Sequence, residues 1–588
     1  MSASMARSTT ITLLLDRCMS TMQFSSSVVS LTDIRAVLES DLLSLAASAA
    51  GFGLLSHVSL FRTNFPVEDY LFILLALYAV AVLSTAYAYL TLTQFSVAQA
   101  LLRVILISSA FNTGLISSIG IYRLFFHRLH HFPGPVGAKI SRFYNAYLAG
   151  KDLQYNVEIA RLHHEYGDFI RTGPREVCIV RKSAIPLLFG PQSKCSKSTW
   201  YAHVSTNPKY CSVHCTRDHD DHRKRRKAWD QGFSIKALGI YEPRVKSKAD
   251  LLASHVAKNL GQPIDVTAWT MFLSFDIMGD VGFGKDFHNL TTGVEHPAIK
   301  GVHDHMAAGA TLLQVPWLLN ILCRIPGAVS GYSSFFKWCA DEIERKQKTW
   351  DANAYPEDVV SWLLKAYVER SVSAAPSRMA LNEDSRAVII AGSETTATTL
   401  ATVLYYLAKH PSVLAKLHQK LDEAMPGGAD DWSYDKVKDI TFIDDIINET
   451  LRLRPAVMTG GYRVTPAEGL QVDEVHIPGD TIVFVPVQLI QTDERYYESA
   501  KEFIPERWSE KRYEMKTDGA PFIPFLTGPY ICPGKNLAMI SLRTSISTIA
   551  QQYNFSFAPG ETGEAFETGA QDTFTTSLPP LQLAFQRR

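Results

Sequence analysis

Apolar positions are spread unevenly along the chain. Residues 42–61, 71–93 and 104–122 are apolar almost throughout and contain no Asp, Glu, Lys or Arg. Each run is long enough to cross a hydrocarbon core about 30 Å thick as a helix. Residues 40–125 therefore read as a membrane anchor of two or three transmembrane helices, preceded by a Ser-, Thr- and Met-rich segment, 1–39, expected to be unstructured. Glu68 and Asp69 precede the strongest run, whereas Arg123 and Arg128 follow the last. The positive-inside tendency places everything after residue 123 in the cytosol. Two prolines around Gly134, in His131-Phe132-Pro133-Gly134-Pro135, make 126–140 a proline-rich hinge.

From 141 to 588 helical periodicity dominates, broken by short β-like runs such as 481–486 (TIVFVP), with no internal repeat and no low-complexity linker. One mainly α domain with a smaller β region is predicted. It includes a long helix from about residue 382 to the break before Pro411, and another from the glycine at 534 to near Tyr553.

Composition narrows the class. With 46% hydrophobic and 20% charged residues, neither disorder nor an all-membrane protein fits the whole chain. Lys+Arg and Asp+Glu both number 58, giving net charge +0, which argues against a nucleic-acid partner. Eight thinly spread cysteines do not form a disulfide framework and suit a reducing compartment.

Candidate chemistry lies in separated motifs. In Phe525-Leu526-Thr527-Gly528-Pro529-Tyr530-Ile531-Cys532-Pro533-Gly534-Lys535, a lone Cys stands before an apolar helical run. A thiolate there would meet the backbone N–H groups of Gly534 and Lys535 and the positive end of that helix, a setting suited to an axial iron ligand. A small buried apolar Cys is the commoner meaning of such a pattern. Ala391-Gly392-Ser393-Glu394-Thr395-Thr396 puts an acid and a hydroxyl side by side next to a glycine, as proton delivery requires, although a solvated helical acid has the same signature. Glu449 and Arg452 share one helix face, and Phe503-Ile504-Pro505-Glu506-Arg507-Trp508 follows about fifty residues later. Finally, 222–233 is a basic helix carrying His222, Arg223, Lys224, Arg225, Arg226 and Lys227. The nearby Cys211, His214, Cys215 and His219 offer, with His222, a competing reading as a structural zinc site.

These motifs, in this order, resemble those of the cytochrome P450 family. Phe525, Gly528, Cys532 and Gly534 match its Cys loop except that Tyr530 stands where the family has Arg. A-G-S-E-T-T matches its oxygen-activation motif, E-x-x-R and F-x-P-E-R-W match its structural pair, and the several amino-terminal spans and the G-P-Y form of the loop look like fungal members. The resemblance implies the P450 fold behind a membrane anchor. It implies haem b ligated by Cys532, with Ala391, Gly392, Phe525, Gly528, Tyr530 and Gly534 around it and His222, Arg226 and Arg463 on the propionates. Glu394 and Thr395 would manage dioxygen and its protons, and Glu449, Arg452 and Arg507 would form a buried structural cluster. Val388, Val457, Met458 and Thr459 are the expected substrate-pocket lining.

The implied reaction is NADPH- and O2-dependent oxygen insertion into a lipophilic small molecule, as in tailoring of a terpenoid or polyketide. No flavin or NAD fingerprint is present in the chain, so electrons are expected from a separate NADPH-cytochrome reductase docking on the basic surface of Arg223, Lys224, Arg225 and Lys227. The expected location is the endoplasmic reticulum membrane with a cytosolic catalytic domain, where the sequons at Asn289, Asn448 and Asn554 would stay unmodified. A reductase-independent haem-thiolate isomerase or dehydratase, and a non-enzymatic membrane protein with zinc, are the alternatives.

Overall fold

The computed structural model describes residues 30–61, 70–203, 207, 209–304, 306–322, 325, 327 and 330–588. Residues 1–29, with Arg7, Asp16 and Arg17, and the acidic pair Glu68 and Asp69 lie outside the described residues. The chain divides into two compact units, 1–126 and 127–588.

The first unit is helical. Within the stretch expected to be unstructured, Leu31–Glu39 forms a helix, because Ser30 and Asp33 close a reciprocal capping box at its start. Leu42–Ser56, Leu71–Leu92 and Val97–Ile121 follow. Within 42–59, 71–92 and 97–126, the apolar 18-residue window has only 11%, 0% and 6% of its positions buried, so apolar side chains cover the outside of each helix, as a span facing lipid needs. Where these helices touch, the contact is close. A Cβ on Gly114 would overlap the Ala50 carbonyl, so the first and third spans meet backbone to backbone as small residues allow. Two polar pairs join these helices, His57 Nδ1 with Ser118 Oγ at 2.8 Å and Asn112 Nδ2 with the Tyr78 hydroxyl at 2.7 Å.

In the second unit a larger helical core surrounds Arg378–Lys409, which is also long and apolar enough to cross a membrane but has 72% of its window buried inside the protein. Neighbours cover most of its surface: Val266–Ile277, Thr441–Leu453 and Lys535–Gln552 all pack against it. A smaller core lies under a five-stranded sheet ordered Phe169–Gly173, Glu176–Ile179, Ile482–Phe484, Arg463–Val464, Ser196–Lys197. The 482–484 strand runs parallel to 176–179, and the other pairings are antiparallel. A two-stranded hairpin, Gln571–Thr573 with Thr575–Ser577, returns the chain end to the long helix. The 131–135 segment packs closely here: Leu129 and Phe132 are buried, and the Pro133 carbonyl accepts from the Arg171 N–H at 2.7 Å.

Candidate functional site

The Cys loop is shaped by its backbone. Gly528 has φ +68°, and a side chain there would run into the Phe189 carbonyl, so this turn admits only glycine. The turn lets the Cys532 N–H reach back to the Phe525 carbonyl at 3.0 Å, closing the loop ahead of the helix Lys535–Gln552, for which Gly534 is the N-cap. Among the six described cysteines Cys532 alone is exposed. The protein crowded around it raises its thiol, against which the N–H of Gly534, the charge of Arg226 and the N–H and charge of Lys535 act in favour of thiolate.

Around Tyr530 the groups are cationic or imidazole. Its ring lies 4.8 Å from Lys197 Nζ, 4.9 Å from Arg463 Cζ and 4.6 Å from the His222 ring. Burial, then the charge of Lys197, pushes His222 down to about 3, so at neutral pH the imidazole is uncharged and donates from one nitrogen. Arg226 comes into the loop from the basic helix, but its Nη1 already donates to the Ile531 carbonyl at 2.7 Å and its Nε to Asp230 at 2.7 Å.

Glu449, Arg452 and Arg507 meet with no exposed surface at all. Arg452 holds both Glu449 oxygens at 2.8 and 2.9 Å and spends its remaining N–H groups on the carbonyls of Gln491, Ala500 and Glu502. Arg507 Nε, Trp508 Nε1 and the Ile504 N–H complete the carboxylate at 2.8–3.0 Å. A buried charge cluster with its donors and acceptors filled is structural in character.

On the long helix Thr395 is half-buried and its hydroxyl donates to the Ala391 carbonyl at 2.7 Å. Ala391 is exposed, whereas the space beside Gly392 belongs to Met278, whose Sδ would stand 2.5 Å from a Cβ at 392. Glu394 turns away from its neighbour: it accepts from the Thr575 hydroxyl at 2.5 Å, and His303 Nε2 lies 3.7 Å from it. The same hairpin reaches the expected pocket segment. Thr576 donates through its N–H to Ala456 and through its hydroxyl to Pro455, and Asp572 accepts from Thr459 at 2.6 Å. Val388, Met458 and Thr459 are buried and Val457 half-buried, so the segment 457–459 is stitched to the chain end.

A family profile described as Cytochrome P450 matches residues 133–585. The chain belongs to the cytochrome P450 family. Among its relatives, "Cytochrome P450 monooxygenase orf5" of Eupenicillium brefeldianum is 40% identical over 81% of this chain and 94% of its own length. "Cytochrome P450 monooxygenase FCK2" of Fusarium pseudograminearum is 36% identical over 91% of this chain and 96% of its own. "Cytochrome P450 monooxygenase lcsK" of Purpureocillium lilacinum is 34% identical over 81% and 85%. This P450 is thus an oxidoreductase of the monooxygenase class, with fungal relatives across most of its length. The family implies a haem-thiolate iron.

The residues present fit that group: a reachable thiol under two N–H donors, a set of cations beside it, and Arg463, 1% exposed, whose Nε has no hydrogen-bond partner. Two readings need correction. Arg225 is not on the basic surface of this P450; it is 2% exposed and pairs with Asp384 at 2.7 Å, since helical spacing turns 222, 225 and 229 inward together. Arg223, Lys224 and Lys227 remain exposed. The zinc reading has no ligand set, because no three His, Cys, Asp or Glu side chains converge among the described residues. Lys197, Thr575, His303 and Met278 had no local sequence signal; each joins the site through a pairing register or a packing contact.

Proposed function

We propose that this P450 uses haem b, held by Cys532, to insert one oxygen atom of O2 into a C–H or C=C bond of a lipophilic small molecule in fungal secondary metabolism, such as a terpenoid or polyketide. The bound haem supplies iron-centred activation of dioxygen. The chain's own residues do the rest. Gly534 and Lys535 would favour negative charge on the Cys532 sulfur through their N–H groups, against the burial that raises its thiol. His222, Arg226 and Arg463 orient the cofactor through its carboxylates, and Thr395, beside Ala391, offers a hydroxyl from the long helix to the reacting face. The Glu394 carboxylate, which accepts from Thr575 and faces His303, would relay protons toward that face. Val388, Val457, Met458 and Thr459 line the substrate side.

Electrons come from NADPH through a separate reductase that meets the exposed cations Arg223, Lys224 and Lys227. The three outward-apolar helices of the first unit fit anchoring in the endoplasmic reticulum membrane, with 141–588 as a cytosolic catalytic domain, 126–140 as its hinge and 40–125 as the anchor. The observation that carries the reading is the exposed Cys532 thiol beneath the Gly534 and Lys535 N–H groups. The test is the carbon monoxide difference spectrum of the dithionite-reduced membrane fraction, run beside Cys532→Ser. A red-shifted Soret band that disappears in the variant is expected, and folded wild-type protein without haem would overturn the reading.

A further inference from the structure

Lys197 and Arg463 are opposed positions on the antiparallel strands Ser196–Lys197 and Arg463–Val464, and they are only 4% and 1% exposed. Like charges set directly across a strand pair repel, and a buried cation ordinarily has an acid beside it. Among the described residues the acceptors these two meet are all neutral. Lys197 Nζ donates to the carbonyls of Val213 at 3.3 Å and His214 at 2.6 Å. Arg463 Nη1 reaches the Tyr462 carbonyl at 3.1 Å and the Tyr201 hydroxyl at 3.5 Å, and its Nε has no partner. The acid nearest in charge to Tyr530, Asp218, is exposed and committed to capping the basic helix through the N–H groups of Asp220 and Asp221.

Burial pulls the Lys197 ammonium down to about 7, with Arg463 adding to the fall. The face of the Tyr530 ring offsets part of this repulsion, because an aromatic quadrupole attracts cations, but it carries no net charge. Two buried cations on the ring of Tyr530, which stands two residues before Cys532, with an orphaned guanidinium N–H, call for an anion.

We infer that Lys197 donates to a haem propionate, holding it together with Arg463 and replacing the arginine that the family's Cys loop carries where this chain has Tyr530. The inference rests on the haem-thiolate reading above. It explains the exchange at 530: an arginine there would be a third cation against Lys197 and Arg463, whereas a phenol ring lies between them without adding charge. Lysine at 197 with tyrosine at 530, and a neutral residue at 197 with arginine at 530, are two solutions with the same total charge.

The test uses full-length holoenzyme, measuring haem release to excess apomyoglobin and the propionate bending band in the resonance Raman spectrum. Lys197→Met is expected to release haem about tenfold faster, the loss of one charge-assisted hydrogen bond, and to shift the band. Adding Tyr530→Arg to that variant is expected to slow release back toward the wild type. Lys197→Arg, which keeps the charge, is expected to retain haem and still move the band. Wild-type release with an unshifted band in Lys197→Met would overturn the inference; should that variant fail to fold, an unmoved band in Lys197→Arg would overturn it. A wild-type chain that takes up no haem would instead overturn the haem-thiolate reading itself.

Discussion

Thr575 donates a 2.5 Å hydrogen bond to the Glu394 carboxylate, fastening the last hairpin of the chain to the middle of its longest helix. Glu394 is 5% exposed, so this contact settles where a buried acid points. It also separates the roles of adjacent residues, because Thr395 keeps its hydroxyl on the Ala391 carbonyl.

Thr575→Val preserves shape and removes the donor. A buried carboxylate oxygen left without its partner costs roughly 1–3 kcal/mol, so the variant should unfold at lower temperature with its haem content intact. Thermal unfolding followed at the Soret band measures this, and an unchanged midpoint would show that the hydroxyl does not hold Glu394.

His303 faces Glu394 on one side and forms an ion pair with Glu295 on the other. Burial opposes its protonation, but hydrogen bonds to Glu295 and Glu394 and their charges prevail and raise it to about 9. For a group raised on folding, the stability it contributes is fully present below its unfolded value of about 6.5 and is lost as pH rises through the folded value. The difference in unfolding temperature between wild type and His303→Gln should therefore be largest near about pH 6 and shrink toward about pH 9. A difference independent of pH would mean that His303 is neutral in the fold.

Glu449→Ala would leave Arg452 and Arg507 buried without their acid. The expected loss is about 3–5 kcal/mol, seen as poor expression or protein without haem. A normal haem spectrum together with normal thermal stability would remove the cluster from the structural role.

Thr395→Ala should lower product formed per NADPH consumed, with the balance of electrons leaving as peroxide or water and haem content unchanged. Coupling equal to wild type, measured with reductase and any accepted substrate, would show that the hydroxyl takes no part in proton delivery.

Much of the architecture was legible because its signals are local. Uncharged runs marked the three outward-apolar helices, the periodicity around Gly392 marked the long helix, and the Cys loop, A-G-S-E-T-T, E-x-x-R and F-x-P-E-R-W are each contiguous in the chain. Boundaries moved where caps lie outside the apolar pattern. Ser377 caps the long helix through the Ala380 N–H, which starts it at Arg378 rather than near residue 382.

What the sequence determined by itself was the family, the mainly helical class and the order of motifs, since these depend on residue types a few positions apart. Only the tertiary structure decided which polar groups face one another. Strand register set Lys197 against Arg463. A hairpin nearly two hundred residues away supplied Thr575 to Glu394. The inward face of one helix took Arg225 out of the basic surface and gave it to Asp384. Burial charges and hydrogen bonds act through space, and the residues that balance them are chosen by packing rather than by their neighbours in the chain.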